Sequence, residues 1–127
     1  MRNALAAVPA AVEPWEALRA ALVAVDALEV DPEVTLQISE MLYRTPSLRA
    51  RRLEKHAQWQ ALLVPDIRAR LGIAADDLSD PGPDAIVASA IACLDVAGEV
   101  WTGSGGSVSL VDLYDRAVSV VRGAVRD

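Results

Sequence analysis

The 127 residues carry 18 acidic and 12 basic side chains, a net charge of −6, and 53% of them are hydrophobic. That composition excludes a disordered polar chain and offers no overall positive field to gather nucleic acid or anionic lipid. The single cysteine, Cys93, excludes a disulfide framework, and no apolar run comes near the roughly 20 residues needed to span a bilayer. The opening run Leu5–Val12 is short for a signal peptide and is broken by Pro9. The cytoplasm is the expected compartment. Alanine is abundant, and among the basic residues Lys55 is the only lysine and the rest are arginines, a codon bias of GC-rich bacteria.

No stretch alternates apolar with polar residues for long, so no strand is expected. The first clear helix is expected from Pro14 to about Leu28, with Trp15, Leu18, Leu22 and Val25 on one stripe. A second opens at Asp31-Pro32 and is expected to carry Val34, Ile38, Met41 and Leu42 inward. A third opens at Thr45-Pro46 and stops at Gly72. Its stripe Leu53, Ala57, Gln60, Val64, Ile67, Leu71 keeps phase through Pro65, which predicts a kink and no break.

Residues Ile73–Asp84 read as a loop. A fourth helix follows from Gly82-Pro83 to about Thr102, apolar on nearly every side. Gly103–Ser107 reads as a flexible connector, and Ser109 caps a last helix with Asp112 three residues on. A helix that is apolar all round must be covered all round. The expected cover is a second copy, two helices from each chain forming a four-helix bundle across a two-fold axis. Ile86, Ala90, Cys93, Ala97, Trp101, Val111, Tyr114, Val118, Val121 and Val125 are the expected interface.

The segment Leu42-Tyr43-Arg44-Thr45-Pro46-Ser47-Leu48-Arg49-Ala50-Arg51 resembles a junction of many actinobacterial TetR-family regulators, where a helix ends just before a proline and an arginine-rich helix follows. An Ala/Ile/Leu-rich helix with a late tryptophan, a Gly-rich linker and a closing Leu/Val-rich helix add to the likeness, which covers Pro14 to Asp127. The resemblance implies an all-α C-terminal domain of five to six helices that binds a small effector and dimerises through its last two helices. Residues 1–127 are then one domain, with 1–12 the remnant of the helix that joins it to a DNA-binding half. The helix-turn-helix of that half is expected to be absent, since Met1–Val12 cannot supply three helices and no Tyr-x-x-Phe signature appears.

Other motifs carry little. Asp76-Asp77-Leu78-Ser79-Asp80 matches a magnesium-binding DDxxD pattern but has no facing carboxylate set. Gly103–Ser107 lacks a P-loop lysine, and His56 is the only histidine, so no catalytic set, metal site or cofactor is expected. The basic cluster Arg44, Arg49, Arg51, Arg52, Lys55 reads either as a solvated helix start or as a relay surface toward the DNA-binding half. The expected effector pocket lies among the first four helices, beside the Pro65 kink. His56, Trp59, Gln60 and Leu63 lie on the long helix, and Trp15, Met41, Tyr43 and Asp95 border the same space, around a small, mostly apolar ligand. The reading is a cytoplasmic bacterial repressor's sensing and dimerisation domain, reaching DNA only through another domain. The alternative is a stand-alone homodimeric helical protein that heterodimerises with, or antagonises, a full-length relative.

Overall fold

The structure, a computed structural model, describes residues 2–26 and 32–123, with side chains from 4–23 and 33–123. Six helices follow in order: α1 (Arg2–Ala6), α2 (Pro14–Asp26), α3 (Pro32–Arg44), α4 (Pro46–Arg70), α5 (Gly82–Gly103) and α6 (Leu110–Val121). Among the described residues there is no strand, so the all-α expectation holds.

Local chemistry sets most of the boundaries. The Glu13 carboxylate accepts the backbone N–H groups of Trp15 and Glu16 and so starts α2 (3.2 and 2.9 Å). Ser109 Oγ accepts the N–H of Asp112 at 3.2 Å and caps α6. Helix α4 ends in a Schellman motif. The Ile73 N–H reaches the Arg68 carbonyl, that of Gly72 reaches Ala69, and Gly72 takes the left-handed conformation (φ 74°) that this closure needs. The same closure ends α5. Gly106 N–H bonds to Trp101 O and Gly105 N–H to Thr102 O, so the expected flexible connector is instead a hydrogen-bonded turn.

Helix α5 is the hub, packing on α2, α3, α4 and α6. Its Val87, Ala90, Ile91, Cys93 and Ala97 meet Ala17, Leu18, Ala21 and Leu22 of α2, Leu63, Val64 and Ile67 of α4, and Tyr114 of α6 in one buried cluster, which Leu5 of α1 joins. By length and composition α5 could cross a membrane, which corrects the expectation that no run approaches that size. Its buried face, however, is spent on this core.

Two helices present a different face from the one expected. In α3, Val34, Ile38 and Met41 are exposed, while Thr35, Ser39, Leu42 and Tyr43 turn toward α4 and α5. In the first half of α4, Leu53 and Ala57 are exposed and Arg52, His56 and Trp59 form the inner line, one position earlier than the apolar stripe implied; Val64 and Ile67 are buried as expected, and Leu71, just past the helix, is exposed. The reason is common to both. These inner faces border a cleft, and polar side chains are stable there. Helix α4 passes through Pro65 unbroken, as expected.

The N-terminal segment is fastened by one side chain. Arg70, with its side chain 5% exposed, uses all five guanidinium N–H donors. Nη1 donates to the carbonyls of Pro9 (2.7 Å) and Val12 (3.2 Å), Nη2 to those of Leu5 (3.1 Å) and Val8 (2.9 Å), and Nε to Asp66 Oδ1 (2.5 Å). Thus the last turn of α4 clasps residues 5–12.

Candidate functional site

A cleft of about 810 Å³ opens between α3, α4, α5 and the start of α6, with Leu22 of α2 at its floor. It brings together four of the side chains expected to bind a ligand: Tyr43, His56, Trp59 and Asp95. The other four lie elsewhere. Leu63 is wholly inside the core, Met41 is exposed on the far side of α3, and Gln60 is half-buried off the lining. Trp15 walls a separate groove between α2 and α6, where the Arg122 guanidinium sits 5.4 Å from its ring centroid. Pro65 does not border the cleft; the polar face of α4 makes the space, not a kink.

The wall is built around Tyr43. Its hydroxyl donates to the backbone carbonyl of Asp95 at 3.1 Å, a contact possible only because Gly98 has no side chain. A Cβ at Gly98 would come within 2.3 Å of that hydroxyl oxygen. Burial, and then the nearby Asp95 carboxylate, push the Tyr43 phenol up to about 12, so it stays a neutral donor. The Arg52 guanidinium lies 4.1 Å from the Tyr43 ring centroid, and its Nε is 3.0 Å from Asp95 Oδ1. That ion pair is close but poorly aimed. Arg52 Nε and Nη1 and Asp95 Oδ1 are all buried, and none makes a hydrogen bond.

One turn further along α4, the His56 ring stands 5.4 Å from Trp59, and Lys55 Nζ lies 5.3 Å from the Trp59 centroid. Burial lowers the His56 pKa below its ordinary 6.5, opposed by Asp95 and helped by Arg52 and Lys55. The imidazole is therefore held toward its neutral form. Trp101 and Val111, expected at a dimer interface, line the cleft instead, and Trp101 packs on Gly106, where a Cβ would meet its ring at 3.1 Å. Sequence reasoning had no pocket role for Arg51, Arg52 and Lys55. Their spacing with His56 and Trp59 was the available signal, but it was masked by the assumption that a lining stripe is apolar.

Of the remaining expected interface residues, Ala90, Cys93, Ala97 and Tyr114 are buried in the chain's own core, and Ile86 and Val118 pack half-buried against it. Burial raises the Cys93 thiol pKa, as fits a core position. Val121 is exposed, and Val125 lies outside the described residues. The outward residues of α5 include Ala85, Ala92, Val96, Glu99 and Val100, and Val120 and Val121 are exposed on α6. The acidic loop after α4 is used locally. Asp77 accepts both the N–H and the hydroxyl of Ser79, and Asp80 accepts the Gly82 N–H at 2.8 Å.

The Gly98 contact gives a direct test of the wall. Gly98→Ala should leave the fold nearly as stable, because alanine gains up to about 1 kcal/mol of helix propensity that offsets the displaced Tyr43. Affinity for any compound found to bind the cleft should nonetheless fall about tenfold. Unchanged affinity by titration calorimetry would mean that Tyr43 does not shape the site.

Comparison with curated proteins returns no match. Among protein families, the one described as MftR C-terminal domain, a TetR-type C-terminal domain, matches residues 12–126, nearly the whole chain. This chain belongs to that family of TetR-type regulator C-terminal domains.

Proposed function

We propose that this domain senses a small effector in the cleft between α3, α4 and α5, and pairs with a second copy through α5 and α6. The observation that carries the reading is the cleft itself. Aromatic walls and a few convergent polar groups are what small-molecule sites require. Pairing is supported by the outward stripe Ala92, Val96 and Val100, which no described residue covers, and by the family. We assign the regulator to the cytoplasm of a bacterium and to repression, with the operator read by a helix-turn-helix domain outside residues 1–127. The net charge of −6 suits a domain that does not itself hold DNA.

A thermal-shift screen of small amphipathic compounds tests the reading. Binding to the folded state raises the melting temperature by an amount set by concentration relative to the dissociation constant. Hits should weaken about tenfold or more on Trp59→Ala, once circular dichroism shows that variant folded. Hits that bind Trp59→Ala and the unmodified chain equally would place the effector elsewhere.

A further inference from the structure

The cleft is charged in the opposite sense to the molecule around it. The chain carries −6, yet among the described residues three cations, Arg51, Arg52 and Lys55, line one wall against one lining carboxylate, Asp95. Glu99 is near enough to act on Tyr43 but does not line the space. Arg52 is the most buried of the three cations. Its side chain is only 12% exposed, one face of the guanidinium is covered by the Tyr43 ring, and its Nε and Nη1 donors make no hydrogen bond although Asp95 is close. Those two donors point from different edges of the guanidinium and are closed to solvent, so Arg52 acts on the cleft as a fixed buried positive charge, while the exposed Arg51 and Lys55 carry the donors that can reach a ligand. The rest of the lining differs. Trp59, Leu94, Leu110 and Val111 offer an apolar body no polar partner.

We propose that the cleft's ligand is an amphipathic organic anion, its carboxylate held by Arg51 and Lys55 beside the buried charge of Arg52, and its apolar body laid against Trp59, Leu94 and Leu110. This differs from the small, mostly apolar ligand expected from the sequence by adding a charged head. It rests on the reading of this cleft as the effector site. The charge belongs to the head and leaves the body open to an aliphatic chain or a fused aromatic ring.

The test uses the full chain and two matched series below micellar concentrations, measured by titration calorimetry. One series is octanoate, octanol and octyltrimethylammonium; the other is 2-naphthoate and 2-naphthalenemethanol; inorganic phosphate is run alone. At least one carboxylate should bind tenfold or more tightly than its alcohol, with the ammonium compound weaker still. The series that shows this identifies the body. Arg52→Gln leaves Asp95 without its cation and risks the fold, so the decisive variant is Arg51→Gln/Lys55→Gln, whose side chains are exposed. It should bring carboxylate and alcohol within about threefold while leaving the alcohol's affinity unchanged. An alcohol that binds the cleft as tightly as its carboxylate, with affinity lost on Trp59→Ala, overturns the anion and leaves the effector site standing. Carboxylate binding untouched by both Trp59→Ala and the double variant overturns the site as well. Phosphate competing as strongly as the carboxylates would mean a simple anion site and overturn the amphipathic ligand.

Discussion

Arg70→Ala should cost about 3 kcal/mol and lower the melting temperature by about 10 °C, the largest effect expected of any single substitution outside the apolar core. The reason is the number of groups that lose their partner together. Five guanidinium donors meet five acceptors, four of them carbonyls of residues 5, 8, 9 and 12. Leu5 and Pro9 already accept backbone N–H groups from Val8 and Val12, so the clasp acts on turns that are already formed. Removing it frees those carbonyls to water, which keeps the loss well below the sum of five charged hydrogen bonds. Leu5, wholly buried, would then lose its seat, and with it part of the contact of α1 with α2 and α4. Arg70→Lys should recover less than half the loss, because an ammonium has three donors and no planar fork. Chemical denaturation of both variants checks this. A loss under about 1 kcal/mol for Arg70→Ala would mean that the segment is held by Leu5 packing alone.

The second large effect concerns pairing. Val96→Arg should convert a homodimer into a folded monomer, weakening association by about a thousandfold. Val96 is 53% exposed in the single chain, so arginine there reaches water and the fold survives. In a two-fold interface each substitution appears twice, and two like charges lose hydration together. Val118 makes a poorer probe, because it packs half-buried against the core and its replacement would damage the monomer as well. Light scattering on both proteins, with circular dichroism as the fold control, decides the matter. If the unmodified chain is monomeric at tens of micromolar, or Val96→Arg remains dimeric, the α5 stripe is not the interface.

Much of the fold was legible because its boundaries are written locally. The Pro14, Thr45-Pro46, Gly72, Gly82-Pro83 and Ser109 signals each act within a turn of where they occur, and each sits at an observed helix end. Facing was harder. Periodicity marks an inner face only where the inside is apolar, so it held for Leu18 and Leu22 and failed for α3 and for the first half of α4, which border the cleft. The interface reading failed at Ala90, Cys93 and Ala97 for a related reason. A helix apolar all round does not reveal which stripe its own chain takes. The Arg70 clasp left no mark in the sequence beyond its spacing from Asp66, since its other acceptors are backbone carbonyls that any residue could supply.

The turn that ends α5 sets how the chain loses its freedom. Only residues 104–109 separate α5 from α6, and two hydrogen bonds across Gly105 and Gly106 already close the turn, so that hairpin costs little chain entropy. The Leu5–Arg70 contact closes a loop 65 residues long, about 2 kcal/mol more costly by the logarithmic growth of closure entropy. The hairpin thus belongs to the early, cheap part of assembly and the N-terminal clasp to the late, expensive part. On warming, the order reverses. The short α5–α6 closure is expected to outlast the long-range clasp, whose parting regains more chain entropy.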